Sequence, residues 1–97
     1  MEMAKYILSV LKTNLMAFYS WGSHNFYALN NGLQFNVQGF LFKGKVRITY
    51  NEGSDLFTVE LIKRTKIAKS FNDVYVDSLI DLIDREVEYG DYYKKTV

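Results

Sequence analysis

The chain has 97 residues, and we predict one domain over residues 1–97 because this length suits a single small domain. Hydrophobic residues make up 48% and charged residues 24%, a balance that is typical of globular proteins and argues against intrinsic disorder. The sequence has no cysteine, which excludes disulfide frameworks and thiolate metal sites and favours a cytoplasmic location. Its net charge is +1, whereas nucleic-acid-binding domains are usually strongly basic.

A helix is predicted over residues 4–19, because apolar residues recur there at intervals of three and four. The positions that define this stripe are Leu8, Leu11, Leu15 and Phe18. The polar residues Lys12, Thr13 and Asn14 interrupt the apolar stretch before it reaches the roughly 18 residues that a membrane span requires. We therefore expect a helix of a folded domain and no membrane association.

Aromatic residues are dense at the end of this helix and just after it. They are Phe18, Tyr19, Trp21, Phe26 and Tyr27. We expect them to pack in the core, and the alternative is a small apolar pocket between the helix and the sheet. The Asn-Asn-Gly sequence at residues 30–32 predicts a tight turn, because Asn and Gly tolerate positive φ.

Antiparallel strands are predicted between residues 33 and 71, where apolar and polar residues alternate. A two-residue loop at Lys43-Gly44 would place Leu41 opposite Val46. This register brings the apolar residues of both strands onto one face of the sheet, as a stable register requires.

Two more hairpins follow from the same alternation. A four-residue loop at residues 51–54 would pair Ile48 with Phe57, and a further hairpin would pair Ile62 with Ile67. The first of these again places the apolar residues on the same face.

A second helix is predicted from about Val74 to Glu88, with Asn72 or Asp73 as its cap and Gly90 as its end. Its apolar stripe consists of Val76, Leu79, Ile80, Ile83 and Val87. The fold class is therefore α+β: an N-terminal helix, an antiparallel sheet of four or five strands, and a C-terminal helix packed on one face. The predicted main core is Val46, Ile48, Val59, Leu79, Ile80 and Ile83.

The second face of the predicted sheet is the candidate interaction face. It would carry Phe40, Phe42, Lys45, Arg47 and Ile62. Three alternatives remain open for it: the N-terminal helix covers it, a second copy of the chain covers it, or its aromatic and basic residues, with Lys43, bind nucleic acid.

Motifs for catalysis, cofactors or metals are weak. Ser23 and His24 are adjacent, but a catalytic Ser-His-Asp triad is defined by its geometry, so the presence of these residue types is weak evidence for one. Asp77, Asp81 and Asp84 lie at i, i+4 and i+7, which predicts a solvated acidic helix face rather than a cation site. We therefore predict no catalytic residue, no cofactor and no metal.

Three segments carry a resemblance to a known group of proteins. They are residues 11–16 (Leu-Lys-Thr-Asn-Leu-Met), 20–24 (Ser-Trp-Gly-Ser-His) and 50–57 (Tyr-Asn-Glu-Gly-Ser-Asp-Leu-Phe). They resemble a family of small uncharacterised proteins from gut Bacteroidetes, and the resemblance covers nearly the whole chain. It implies a bacterial, intracellular protein and transfers no activity to named residues.

The function predicted from the sequence is a non-enzymatic interaction or binding module. Its partner would be another protein or a second copy of the chain, which would associate through the Phe40/Phe42 sheet face or through the N-terminal helix. The alternative is a small nucleic-acid-binding accessory protein that uses the aromatic and basic residues of that face.

Overall fold

The computed structural model describes residues 2–89, which form five strands and three α-helices. The α-helices are α1 (Met3–Leu11), α2 (Leu15–Ser20) and α3 (Leu79–Asp84), with a 3-10 turn at Val76–Ser78 and a π-helical turn at Arg85–Tyr89. The strands are β1 (His24–Leu29), β2 (Gly32–Gln38), β3 (Lys43–Asn51), β4 (Leu56–Lys63) and β5 (Lys66–Val74). Each strand pairs antiparallel with the next in chain order, so the predicted α+β class is confirmed.

The N-terminal helix is broken in two, contrary to the prediction of one helix over residues 4–19. The Asn14 side chain accepts a hydrogen bond from the backbone N–H of Ala17 at 3.2 Å and caps α2. A short polar side chain that bonds the backbone in this way favours a new helix start over a continued helix. The polar residues at positions 12–14 therefore end α1 and begin α2.

All three helices pack on the same face of the sheet. Buried side chains from α1, α2 and α3 form one cluster with alternate residues of the strands, among them Ile7, Trp21, Phe35, Ile48 and Ile83. The predicted core is confirmed for Val46, Ile48, Val59, Leu79 and Ile83, which are buried, while Ile80 is half-buried and packs against them. The N-terminal helix therefore does not cover the second face of the sheet.

The predicted register of the β2–β3 hairpin is wrong. Val46 lies opposite Phe35 and not opposite Leu41, and the loop consists of residues 39–42. The displacement is six residues, and because it is even, each strand residue keeps its predicted face.

Contacts with the C-terminal helix explain this loop. The backbone N–H groups of Leu41 and Phe42 donate to the carbonyl oxygen of Val87, at 2.8 and 3.2 Å. A Cβ on Gly39 would lie 2.3 Å from the same carbonyl oxygen, so the loop and the helix approach as closely as a glycine permits. The loop backbone thus bonds to the helix end instead of extending the ladder.

The other two hairpins are closer to the prediction. Ile48 lies opposite Val59 rather than Phe57, which is a shift of two residues that again preserves the face. The predicted pairing of Ile62 with Ile67 is confirmed.

The C-terminal helix starts later than predicted. The chain remains in β5 as far as Val74, so Asn72 and Asp73 belong to a strand and do not cap the helix. The predicted stripe still faces the core, since Leu79, Ile83 and Val87 are buried. Gly90 and the tail at residues 91–97 lie outside the described residues.

Candidate interaction surface

The two phenylalanines of the predicted interaction face do not lie on the second face of the sheet. Phe40 is in the β2–β3 loop and is 85% exposed, with its backbone N–H donating to Glu88 Oε1 at 2.9 Å. Phe42 packs against the core on the helix side, with its ring beside Gly44. The prediction that Phe40 lies in a strand, on the same face as Arg47, is therefore wrong, because β2 ends at Gln38, before Phe40.

The remaining predicted residues do lie on the second face. Arg47 donates to Gln34 Oε1 at 3.1 Å and lies 3.5 Å from Glu60 Oε1. Ile62 is buried and is paired with Lys45 on one side and with Ile67 on the other. This face carries a polar, internally hydrogen-bonded surface, and Phe40 and Phe42 are not interleaved with its basic residues.

The acidic helix face is only partly solvated. Asp77 and Asp81 are exposed, but Asp84 is only 3% exposed and accepts a hydrogen bond from Trp21 Nε1 at 2.9 Å. The prediction of a common solvated face is thus wrong for Asp84, because the indole of α2's C-cap residue packs over it. Among residues 2–89, no group of three His, Asp or Glu side chains is arranged to hold a metal ion.

Ser23 and His24 bond locally to the chain around them. Ser23 Oγ donates to the carbonyl oxygen of Phe18 at 3.4 Å, and His24 Nδ1 lies 2.8 Å from the carbonyl oxygen of Gly22. These contacts hold the link between α2 and β1 and align neither side chain with the other for nucleophilic catalysis.

The aromatic residues around α2 divide into two groups. Phe18 and Trp21 are buried as predicted, but Tyr19, Phe26 and Tyr27 are exposed, so the core prediction is wrong for these three. They form an apolar surface together with two residues of α2. We call this set the α2–β1 surface: Leu15, Met16, Tyr19, Phe26 and Tyr27.

The short helix α2 explains why this surface is exposed. Ala17 and Phe18 face the core, so the side chains of Met16 and Tyr19 on the other side of the helix point to solvent, 85% and 70% exposed. The rings of Phe18 and Phe26 stack with their centroids 5.9 Å apart, which joins α2 to β1. A groove of about 380 Å³ runs along this junction, lined in part by Tyr19 and Phe26.

The strand β1 is one edge of the sheet and is poorly protected. Tyr27 lies opposite Gln34 and points to the second face, while Ala28 and Leu29 continue a regular ladder with β2. Apart from a bulge at Asn25, where φ is 55°, the strand carries none of the usual protective features, such as charged side chains. The other edge, β5, has two irregularities in its pairing and two lysines, Lys66 and Lys69.

The sequence contains a signal for this surface that hydrophobic periodicity does not report. Between Lys12 and Lys43 there is no Asp, Glu, Lys or Arg, although 24% of the whole chain is charged. This uncharged stretch of thirty residues includes α2, β1 and β2. A long uncharged stretch that supplies exposed apolar residues is typical of a protein contact.

No helix in residues 2–89 is both long enough and apolar enough to cross a bilayer. Comparison of the chain with protein-family models, with curated proteins and with solved structures gave no match. The resemblance to the Bacteroidetes family therefore stays a prediction.

Proposed function

We propose that the protein is a non-enzymatic interaction module that self-associates through the α2–β1 surface. The observation that carries this proposal is the exposure of five large apolar side chains on one short helix and the adjacent edge strand. Leu15, Met16, Tyr19 and Phe26 lie on the helix side of this edge of the sheet and Tyr27 on the second face, so the exposed apolar side chains flank β1 from both sides. Exposed apolar residues grouped in this way mark protein contacts more often than other sites. The helix α2 lies within the predicted N-terminal helix, which is one of the two places where the sequence predicts self-association.

A second copy of the chain suits this surface because of its charge. A two-fold dimer brings each patch against itself, so a surface with charges of one sign would repel its own copy. The five residues of the α2–β1 surface and the strand β1 include no Asp, Glu, Lys or Arg. Lys12 is the one residue of these types in the described lining of the adjoining groove. Antiparallel pairing of two β1 strands would place Tyr27 and Ala28 of one copy beside those of the other.

The exposed area is sufficient for a modest dimer. The five side chains are between 42% and 85% exposed. At about 200 Å² for a full side chain, this amounts to roughly 600 Å² of mostly apolar surface per copy. A standard interface buries about 800 Å² per partner, and the groove and the free edge of β1 can supply the difference.

The experiment is a measurement of solution mass over a range of protein concentration, by light scattering or sedimentation equilibrium. We expect the wild-type chain to have a mass of two chains at high concentration. Met16→Lys should shift it to one chain, because a charge would be buried without a partner at the interface. Ala28→Lys should do the same by placing a charge on the free edge of β1.

Phe40→Lys is the matched control. Phe40 is as exposed as Met16, at 85%, and lies in the same uncharged stretch but outside the α2–β1 surface. It should leave the mass unchanged. A wild-type chain that is monomeric at about 1 mM would refute the proposal, and so would a dimer that Phe40→Lys dissociates and Met16→Lys does not.

The nucleic-acid alternative has lost its structural support. It depended on Phe40 and Phe42 lying between basic residues on one face, and neither phenylalanine is on that face. The Arg47 side chain, which this alternative would place against phosphate, donates hydrogen bonds to Gln34 and Glu60.

A further inference from the structure

A small pocket lies at the opposite end of α1 from the α2–β1 surface, between that helix and the β3–β4 hairpin. It has a volume of about 350 Å³ and is lined by Met3, Tyr6, Tyr50, Asp55, Phe57 and Val76. This volume is at the lower end of the roughly 300–1,000 Å³ that small-molecule sites occupy. The pocket therefore suits a small ligand or a single side chain.

Its walls combine aromatic rings with one carboxylate. The ring centroids of Tyr50 and Phe57 are 5.4 Å apart with the planes tilted by 56°, so Tyr50 does not lie flat against its neighbour. The Tyr50 hydroxyl donates to Asp55 Oδ1. This hydrogen bond raises the pKa of Tyr50 above its usual value, and burial and the charges of Asp55 and Glu52 act in the same direction.

The carboxylate is held in place by the turn that carries it. Asp55 ends the β3–β4 loop with a φ of 62°, and its backbone N–H donates to the carbonyl oxygen of Asn51 at 2.8 Å. Asp and Asn adopt this left-handed conformation more readily than other residues with a side chain. The backbone turn and the Tyr50 hydroxyl together fix the position of the carboxylate at the pocket rim.

The charge of the pocket selects the sign of its ligand. Asp55 is the one charged residue of the described lining, and Glu52 is close enough to act on Tyr50. The faces of tyrosine rings are themselves negative and attract cations. A phenol that donates to a carboxylate is richer in electrons, so the Tyr50 ring attracts a cation more strongly.

The apolar part of the lining selects among cations. Met3, Phe57 and Val76 offer no hydrogen-bond acceptor to a compact, strongly hydrated ammonium group. They can contact methyl groups that surround a charged nitrogen. We propose that this pocket binds a methylated ammonium group, the chemistry shared by choline-type small molecules and trimethyllysine side chains.

The test uses the full chain with methyl-labelled methionine. Met3 lines the pocket, and Met16 on the α2–β1 surface serves as an internal reference. We expect choline to shift the Met3 methyl signal in a saturable way and to leave Met16 unchanged. The uncharged isostere 3,3-dimethylbutan-1-ol should bind about tenfold more weakly, because it lacks the attraction of a cation to rings and carboxylate.

Asp55→Asn separates the charge from the shape of the pocket. Asparagine also tolerates the left-handed turn, so the fold should survive, while choline should bind at least about fivefold more weakly. Asp73→Asn is the matched control, since Asp73 is also exposed and has a φ of 56° but lies outside this pocket. It should leave choline binding unchanged.

A third ligand distinguishes the two sources of the group. An N-acetylated trimethyllysine amide that binds more tightly than choline would identify a modified protein as the source, and the reverse order a free small molecule. Equal binding of choline and its uncharged isostere would overturn the proposal. So would unchanged choline binding in Asp55→Asn, or no saturable Met3 shift with any of the charged ligands.

Discussion

Replacing Trp21 with phenylalanine should destabilise the fold by about 2–4 kcal/mol, because it removes the hydrogen bond between α2 and α3. Trp21 has no exposed surface and Asp84 is 3% exposed, with 2.9 Å between the indole nitrogen and the carboxyl oxygen. Removing the donor from a buried acceptor costs about 1–3 kcal/mol. The smaller ring also leaves roughly 40 Å³ empty, which at about 24 cal/mol per Å³ adds about 1 kcal/mol.

A double-mutant cycle separates the hydrogen bond from the lost volume. Asp84→Leu removes the acceptor. The destabilisation of the double variant should be smaller than the sum of the destabilisations of the two single variants, by about 1–3 kcal/mol. Asp81→Leu is the matched control, since Asp81 is exposed on the same helix, and it should change stability by less than about 0.5 kcal/mol.

The assay is urea unfolding followed by circular dichroism, since Trp21→Phe removes the one tryptophan of the chain. Equal slopes of the unfolding transitions would justify comparing the midpoints directly. By calorimetry, the single change should lower the melting temperature by about 10 °C or more. A Trp21→Phe midpoint equal to that of the wild type, or two single costs that simply add in the double variant, would refute this account.

Three further predictions concern stability. Ile48→Ala should cost about 2–5 kcal/mol in urea unfolding, because Ile48 is fully buried at the centre of the sheet, and an unchanged midpoint would contradict this. Gly39→Ala should lower the free energy of unfolding by about 1–3 kcal/mol, because its Cβ would lie 2.3 Å from the carbonyl oxygen of Val87. Gly53→Ala is the control: a Cβ there meets no atom within 4 Å, so the stability should hardly change. Burial would raise the pKa of Glu86, but the Lys69 ammonium at 2.8 Å outweighs it and the pKa is lowered. The stabilising contribution of Glu86 should therefore be present above its usual pKa of 4.5 and be lost as the pH falls through the lowered value. Melting temperatures measured at several acidic pH values should depend less on pH in Lys69→Met than in the wild type.

Hydrophobic alternation predicted the faces of the strands but not their pairing. Val46 and Ile48 are buried as predicted, although the partner of Val46 is displaced by six residues along β2. A period of two is insensitive to even displacements, so it cannot choose among registers that differ by two, four or six residues. The choice is made by the bonds from the loop to Val87, which is more than forty residues away in the chain.

The surface was predicted less well than the core. Asp84 shares its helical spacing with Asp77 and Asp81, yet it is buried because Trp21, 63 residues earlier, reaches it. Phe40 was placed in a strand because the alternation continues past Gln38. In both cases the deciding contact is distant in sequence, so neither local spacing nor amphipathicity reports it.

The two edge strands of the sheet differ in how well they are protected against pairing with another strand. The edge strand β5 is interrupted by irregular pairing and carries Lys66 and Lys69, features that hinder the addition of another strand. The edge strand β1 has one bulge and is accompanied by exposed apolar residues of α2. An edge without charges promotes unwanted pairing unless something covers it. Since one edge of this sheet is protected by charge and the other is not, the difference between the edges supports the proposal that a second copy binds along β1.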